Sequence, residues 1–178
     1  MNERIDFATV WLTGCSGCHM SFLDQDELLL DIAKRINLVY SPLADVKEFP
    51  EGVEITFVEG AVANEEQLEL IREVRERTGV LVAMGDCAVT GNVTALRNAW
   101  EDGDRAALDR AYIELADVSP QIPDQVPALL MKARPLHEVV RVDHFIPGCP
   151  PPASLMNYVL MELLEGREPR MEGRSKFG

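Results

Sequence analysis

Two strand-like segments joined by one amphipathic helix constrain the fold most. Residues 53–59 (VEITFVE) lie between two glycines and are rich in β-branched side chains, and residues 80–84 (VLVAM) are apolar throughout. Both patterns predict buried strands. Residues 64–78 carry apolar side chains at helical spacing, with Asn64 as candidate N-cap and Gln67 three residues later. A strand–helix–strand unit of this length predicts two parallel strands in one sheet.

The same alternation continues along the chain. We expect further strands at residues 5–12 and 139–146, a short strand with a turn at Ser41-Pro42 within residues 38–43, and further helices at residues 22–36, 104–115 and 151–164. Three prolines at 120, 123 and 127 predict a loop. The pattern predicts an α/β fold with a doubly wound, mostly parallel sheet. We expect a single domain over residues 1–166 and a polar C-terminal tail over residues 167–178.

Composition narrows the possible partners. The 178 residues carry a formal net charge of −13, and such a surface repels both nucleic acid and anionic lipid. The sequence has no apolar run of membrane-spanning length and no basic leader segment. We therefore expect a cytoplasmic protein without a membrane span. Cytoplasmic thiols stay reduced, so the four cysteines are more suited to binding metal than to forming disulfides.

All four cysteines follow predicted strands. Cys15 and Cys18 come after the first strand, Cys87 follows the strand that ends near Met84, and Cys149 follows the last strand. The carboxyl ends of parallel strands share one edge of a sheet, and ligands bind there. The sequence therefore predicts that three separate loops bring four thiols to one site.

Glycines accompany these cysteines. Gly17 and Gly148 are two of several that lie within two residues of a cysteine. Glycine permits tight turns and close approach to a compact inorganic group, and such turns aim N–H groups at an anion. Four buried, unreactive cysteines would be poorly placed in such turns, and a redox dithiol would use only two. Thiolates suit both zinc and iron–sulfur clusters, so the residues alone leave the metal open.

Four motifs identify a family resemblance. TGCSGCHMSFLD, FVEGAV, GDCAVTG and PGCPPP occur in this order over residues 13–152. Together they resemble the small subunit of [NiFe] hydrogenases, and among these the small subunit of cytoplasmic NAD-reducing enzymes. The cluster-bearing subunit of respiratory complex I is related. That subunit typically carries adjacent cysteines in its first motif, whereas this chain has Cys15-Ser-Gly-Cys18.

The resemblance implies a flavodoxin-like domain that holds one proximal [4Fe–4S] cluster through Cys15, Cys18, Cys87 and Cys149. It also implies a partner, the hydrogenase large subunit, which carries the nickel–iron centre. Electrons would pass on to diaphorase iron–sulfur and flavin subunits that contain FMN and reduce NAD. No thiolates remain here for nickel, so we expect no catalytic residue in this chain and no hydrogen cleavage by it alone.

Other residues receive weaker interpretations. Glu59 in FVEGAV follows a strand, and the resemblance places such a glutamate near the proximal cluster. There it would hydrogen-bond loop amides or, less readily, approach iron. His19 is interpreted either as a hydrogen-bond donor to the cluster or partner, or as a simple surface or interface histidine. Asp86 is a candidate helix cap, and Trp11 a candidate core residue.

Two alternatives remain open at this point. One is a zinc-stabilised α/β interaction module without redox function. The other is the small subunit of a related hydrogenase, or of a complex-I-like enzyme, that serves another electron acceptor.

Overall fold

The computed structural model describes residues 4–177, so residues 1–3 and 178 of the predicted domain and tail lie outside the described part. Within the described part the strands and α-helices are, in chain order, β1 (Ile5–Trp11), α1 (Gly17–Leu23), α2 (Leu28–Arg35), β2 (Ile36–Tyr40), β3 (Val53–Glu59), β4 (Val62–Asn64), α3 (Glu65–Arg77), β5 (Thr78–Met84), α4 (Asp86–Thr90), α5 (Gly103–Asp109), β6 (Leu129–Arg134), β7 (His144–Ile146) and α6 (Ala153–Leu164). Short 3₁₀ or π segments occupy Asn92–Ala99, Arg110–Glu114 and Leu136–Glu138.

The main sheet has the strand order β2-β1-β3-β5-β7, and every pairing in it is parallel. The prediction of a mostly parallel, single-domain α/β fold is therefore confirmed. The chain moves from β1 outward to β2 and then returns to place β3 on the other side of β1. The order reverses between β1 and β3, and the crevice at their carboxyl ends is the expected ligand position in an open sheet of this kind.

Helices cover both faces of this sheet. One apolar layer lies under α1, α2 and α6 and contains Phe7, Phe57 and Met156, none of which is exposed. Phe7 and Phe57 meet edge to face, with ring centroids 5.3 Å apart. The opposite layer lies under α3 and α4, around Leu81 and Ile71. Burial on both faces explains why these strands are apolar almost throughout.

The start of α3 combines a helix cap with a contact to the first cysteine loop. Asn64 is the N-cap, and its Oδ1 accepts a hydrogen bond from the Gln67 N–H at 2.8 Å. The Gln67 side chain does not return to the cap residue. Its Oε1 accepts from Thr13 Oγ1 at 2.9 Å and from the Ala63 N–H at 3.0 Å. The helix is therefore tied to the turn that precedes Cys15.

Two predicted elements are wrong in extent. The single helix predicted for residues 22–36 is two helices, since the chain turns at Asp26, whose φ is +50°, between α1 and α2. The strand predicted for residues 139–146 forms only in β7. The first half of the predicted strand instead follows a 3₁₀ turn, in which the Val139 N–H donates to the Leu136 carbonyl.

The irregular middle of the sequence contains a strand that periodicity did not indicate. Here β6 pairs antiparallel with β4 in a separate two-stranded sheet. The Arg97 guanidinium fixes this sheet by donating to the carbonyls of Ala63, Leu130 and Met131, at distances of 3.2, 2.7 and 3.0 Å. This pairing depends on partners distant in sequence, so local patterning carries no signal for it.

The described part of the tail, residues 167–177, folds back on α6. The Arg170 N–H donates to the Tyr158 hydroxyl at 3.2 Å, and the Arg174 guanidinium lies 4.3 Å from the centre of the same ring. The boundary at residue 166 stays a prediction. Among the described residues, no helix combines the length and the apolarity that crossing a bilayer requires.

Asp143 gives a test of how β7 is held to the sheet. Its Oδ2 accepts from Arg75 Nη1 at 2.6 Å and from the Leu81 N–H at 2.9 Å. Burial acts to raise the pKa of Asp143, but these hydrogen bonds and the charges of Arg75 and Arg141 outweigh it and lower the pKa. We expect Asp143→Asn to cost about 1–2 kcal/mol of unfolding free energy at neutral pH, measured by denaturant titration.

The pH dependence follows from the lowered pKa. The stabilisation by Asp143 is complete above its unfolded-state pKa, about 3.9, and is lost as the pH falls through the lower folded-state pKa. The difference between wild type and Asp143→Asn should therefore narrow below about pH 4. Asp45→Asn, in a fully exposed pair with Lys47, is the control and should change nothing measurable. A pH-independent difference would contradict this assignment.

Candidate metal centre at the carboxyl edge of the sheet

Four strand ends lie side by side at one edge. In the sheet register Trp11 pairs with Glu59, Glu59 with Met84, and Met84 with Ile146. These four residues are the last of β1, β3, β5 and β7. The loops that carry the cysteines therefore all begin at the same edge of the sheet. All four cysteines lie in these loops.

The first cysteine loop is fixed to the turn after β3. The Leu12 N–H bonds to the Glu59 carbonyl at 2.8 Å, and Thr13 and Ala61 exchange two backbone hydrogen bonds of 3.1 and 2.9 Å. Gly60 has a φ of +92°, and a Cβ there would lie 2.8 Å from the Thr13 carbonyl oxygen. Only glycine allows this approach. The chain then turns through Cys15 and enters α1.

The second and third cysteine loops are joined directly. The Gly85 N–H bonds to the Ile146 carbonyl at 2.8 Å and the Asp86 N–H to the Gly148 carbonyl at 2.9 Å. In return the Gly148 N–H donates to Asp86 Oδ1 at 2.6 Å. The capping interpretation of Asp86 is therefore wrong. Gly85 is the N-cap of α4, and the buried Asp86 carboxylate connects the loop of Cys87 to that of Cys149.

A further bond connects the first loop to the last. Ser21, on α1, donates from Oγ to the Pro151 carbonyl at 2.7 Å, and the serine is buried. Sequence reasoning gave this serine no role, because a lone serine on a helix has no distinguishing pattern. Hydrogen bonds thus fix all three loops to one another, and none of these bonds involves a cysteine side chain.

Glycines keep the space between the loops small. Gly85 has a φ of +84°, and a Cβ there would lie 2.2 Å from Cys18 Sγ. A Cβ on Gly17 would lie 3.2 Å from Cys15 Sγ. The loop of Cys87 therefore packs against Cys18 Sγ so closely that only glycine fits at position 85.

The thiols influence one another electrostatically. Burial is the main cause that raises the pKa of Cys18 far above its ordinary value, followed by the negative charges of Glu59, Cys87, Cys15 and Cys149. Burial also raises the pKa of Cys87, followed by the charges of Cys149, Cys15 and Glu59, while a hydrogen bond from the Thr94 backbone lowers it. Thiolates here are costly without a compensating cation, and metal binding supplies that charge.

The four cysteines differ in exposure. Cys18 is buried, Cys87 is half-buried, Cys15 and Cys149 are exposed, and all four are free thiols. Within residues 4–177 no group of three or more His, Cys, Asp or Glu side chains forms a ready site for a metal ion. The chemistry of four sulfurs suits zinc or an iron–sulfur cluster, and Gly85 leaves no Cβ between its own loop and Cys18 Sγ.

Glu59 lies under the first loop as a buried carboxylate, with 2% of its surface exposed. It accepts hydrogen bonds from the Cys18 N–H at 3.4 Å, the His19 N–H at 2.9 Å and His19 Nδ1 at 2.5 Å. His19 is 7% exposed, so its interpretation as a surface histidine is wrong. These contacts agree with the expectation that Glu59 binds loop amides.

Large apolar side chains surround the exposed part of the site. Trp11 is 47% exposed and Met20 is 59% exposed. The interpretation of Trp11 as a core residue is wrong, because its indole lies beside the loop and donates from Nε1 to the Gly14 carbonyl at 3.3 Å. Apolar surface beside exposed thiols is typical of an edge that another chain covers.

The parallel sheet, with four cysteines in the loops at its carboxyl edge, has the architecture expected of a hydrogenase small subunit. Residues 15–163 match the family described as NADH ubiquinone oxidoreductase, 20 Kd subunit, and the chain belongs to this family.

Curated relatives agree with the resemblance in the motifs. The chain is 43% identical over 171 residues to the delta subunit of the NAD-reducing hydrogenase HoxS of Cupriavidus necator, covering 92% of this chain and 80% of that subunit. It is 39% identical over 175 residues to one subunit of the F420-non-reducing hydrogenase of Methanothermobacter marburgensis, covering 94% of this chain and 56% of that protein. The predicted resemblance to NAD-reducing hydrogenase small subunits is confirmed.

Solved structures agree at the level of the fold. A chain of an NAD⁺-reducing [NiFe]-hydrogenase in the H₂-reduced state superposes with a TM-score of 0.93 at 38% identity, covering 99% of this chain and all of that one. A chain of the [NiFeSe]-hydrogenase of Dm. baculatum gives a TM-score of 0.62 at 16% identity, covering 92% of this chain and 63% of that chain. The second match shows a shared fold alone.

Two glycine substitutions test crowding of the thiol site. Gly52 has a φ of +74° with open space around it, whereas Gly85 has a φ of +84° and faces Cys18 Sγ. We expect Gly52→Ala to cost about 1–2 kcal/mol of unfolding free energy through its positive φ. Gly85→Ala should cost about 1–3 kcal/mol more, both because its methyl group displaces the sulfur and because its ψ of 159° lies in a region that essentially only glycine adopts.

Thiol reactivity gives an independent measure of that displacement. On the metal-free chain, Gly85→Ala should make Cys18 react faster with a disulfide reagent, while Gly52→Ala leaves the rate unchanged. Equal stability losses with equal reactivity would show that the two loops do not crowd each other at Cys18.

Proposed function

We propose that this chain is the electron-transfer small subunit of an NAD-reducing [NiFe] hydrogenase, and that Cys15, Cys18, Cys87 and Cys149 hold one [4Fe–4S] cluster. It relays electrons from the nickel–iron centre of a large subunit to a diaphorase module with further iron–sulfur clusters and FMN, which reduces NAD. The observation that carries this proposal is the meeting of three cysteine loops at the carboxyl edge of the sheet. Similarity to the HoxS delta subunit supports it.

The cluster supplies one-electron chemistry when bound, and the protein supplies its ligands, their spacing and the surrounding charge. The hydrogen bonds among the Gly85, Asp86 and Gly148 loop residues join the loops that carry Cys87 and Cys149. Ser21 holds the first loop to the last. Loops that are already joined reduce the ordering that assembly of the site requires.

Glu59 and His19 act as positioning residues. The Glu59 carboxylate accepts from two consecutive backbone N–H groups at the start of α1, which fixes the direction in which Cys18 leaves the turn. His19 Nδ1 and the His19 backbone N–H both donate to the same carboxylate oxygen, Glu59 Oε2. A buried negative charge this close to the site also disfavours the addition of an electron there.

Partners follow from the open edge. Cys15 and Cys149 are exposed, and Trp11 and Met20 present apolar surface beside them. A large subunit seated here would exclude water from the site and bury these side chains. Because the assembled enzyme delivers electrons to NAD, we expect it in the cytoplasm, where NAD is available.

Substitution of one predicted ligand tests the proposed cluster. We expect Cys87→Ser to lose or destabilise the site, because a serine oxygen is a poor substitute for a thiolate toward iron. Anaerobically purified complex should show reduced iron and sulfide, a weaker dithionite-bleachable brown colour and no hydrogen-dependent NAD reduction. Thr90→Ser is the control on the same helix, since serine keeps the hydroxyl that donates to the Asp86 carbonyl.

The wild-type chain separates the proposal from its rivals. About four irons per chain and a dithionite-bleachable colour support the cluster. A colourless chain with one tightly held zinc would establish the interaction module instead. Full iron content in Cys87→Ser would remove Cys87 from the ligand set. Hydrogen-dependent reduction of an acceptor other than NAD would assign the chain to a related hydrogenase.

Glu59→Gln tests the electrostatic role of the carboxylate. The amide keeps the shape but removes the charge and one acceptor, so the midpoint potential of the site should rise by tens of millivolts, to order of magnitude. Glu54→Gln is the control, because Glu54 is exposed at the other end of the same strand. Redox titration followed by EPR measures both. Equal potentials in wild type and Glu59→Gln would contradict this role.

A further inference from the structure

A cavity of about 370 Å³ lies between α1, α2 and the first two strands, and none of the four cysteines lines it. Its walls are mainly apolar and include Phe7, Phe22, Ile32, Ile36 and Leu43. This volume and lining are typical of pockets that bind small organic molecules. The deep residues are buried, whereas Leu43 at the rim is 72% exposed, so the cavity opens to the surface.

The buried polar atoms of the cavity walls are satisfied with one exception. Thr9 Oγ1 donates to Ser41 Oγ at 3.1 Å, and the Leu43 N–H donates to the same oxygen at 3.2 Å. The exposed Arg4 and the buried His19 also line the cavity. Of the buried side-chain nitrogen and oxygen atoms in residues 4–177, His19 Nε2 and Gln25 Oε1 lack a hydrogen-bond partner. Gln25 does not line this cavity, so His19 is the wall residue that carries a buried, unpartnered atom.

The pairing of the other ring nitrogen defines what Nε2 can bind. The Glu59 carboxylate accepts from His19 Nδ1 at 2.5 Å, so Nδ1 carries a hydrogen. A neutral ring then presents Nε2 as an acceptor, and a charged ring presents it as a donor. A hydroxyl group can pair with either form. Leaving this buried atom unpaired is unfavourable, and a ligand that pairs with it gains that difference.

We propose that this cavity binds a small, uncharged, mostly apolar molecule of one or two rings whose hydroxyl group pairs with His19 Nε2. The phenyl rings of Phe7 and Phe22 provide aromatic walls with ring centroids 6.0 Å apart. Nε2 is closed to solvent, so the hydroxyl reaches it through a small side-chain movement, as is common at binding sites.

The cavity is connected to the cysteine loop through a short chain of contacts. His19 lines the cavity and bonds through Nδ1 to Glu59, and Glu59 accepts from the Cys18 N–H. A bound hydroxyl would therefore contact the residue that positions Cys18. The binding proposal itself does not depend on the metal or on the hydrogenase function, since binding is measured directly.

Matched probes test the hydroxyl contact. We would measure binding of 2-naphthol and naphthalene by equilibrium dialysis, on the full chain and on the complex purified with it. Naphthalene is the more apolar probe, so burial alone favours it. We expect the opposite order, with 2-naphthol binding about tenfold more tightly because of the hydrogen bond. Equal binding, preference for naphthalene, or no saturable binding would overturn the proposal.

Variants locate the binding. His19→Asn keeps an amide donor for Glu59 in place of Nδ1 but removes Nε2, and should lower 2-naphthol affinity to that of naphthalene. Ala33→Trp, on an exposed position of the cavity wall, should block both probes. Ala111→Trp, exposed on a different helical segment, is the control and should block neither. Binding that survives Ala33→Trp places the probe elsewhere and overturns the proposal.

The complex distinguishes a free ligand from a side chain of another subunit. Binding of 2-naphthol by both the chain and the complex supports a small-molecule site. Binding by the chain that disappears in the complex would show that a partner side chain fills the cavity, and would overturn the proposal. Iron content is followed in parallel, so loss of the cluster and loss of probe binding are separate results.

Discussion

The arrangement of the first cysteine loop depends on the hydrogen bonds of the buried Glu59 carboxylate. Glu59 ends the central strand β3, next to Trp11 at the end of β1 and Met84 at the end of β5. A carboxylate with 2% exposure is stable only when its oxygens are fully hydrogen-bonded, and donors from the start of α1 provide this. The requirement to satisfy one buried charge thus fixes the turn that carries Cys15 and Cys18.

The other two loops are fixed by backbone geometry rather than by a charge at a strand end. The Gly85 and Gly148 loops exchange three hydrogen bonds, one of them through the Asp86 carboxylate. The positive φ of Gly85 permits the close approach to Cys18. These contacts set the backbone of the edge, so the folded chain rather than the cysteine side chains determines how the three loops lie.

The sequence predicts the scaffold well, because the scaffold depends on local pattern. The strand at residues 53–59 and the cap at Asn64 were predicted with correct bounds, since β-branched runs and capping residues act within a few positions. The parallel order followed from the crossover rule, and the shared edge followed from the parallel order. The role of the four cysteines as ligands stays a prediction of the motifs.

What the sequence did not predict depends on partners distant along the chain. Asp86 matched the pattern of a helix cap, but its acceptor atom meets Gly148, 62 residues away. His19 has the sequence pattern of a surface residue, but it is buried against Glu59, 40 residues away, through a hydrogen bond. Trp11 matched a core residue on a strand, although it emerges at the edge where the sheet ends. Periodicity reports which face of an element is apolar, and it carries no information on which distant group meets a polar atom.

The distribution of exposure at the edge determines how the site can work. Cys18 and Glu59 lie inside the fold, whereas Cys15 and Cys149 lie at its surface. An anionic group held by these four thiols would therefore be desolvated on one side and wet on the other. Electrostatic interactions strengthen when water is excluded, so a partner that covers Trp11 and Met20 would change the potential of the site as well as shield it. A partner seated on this surface would therefore close the site and change its potential through the same contact.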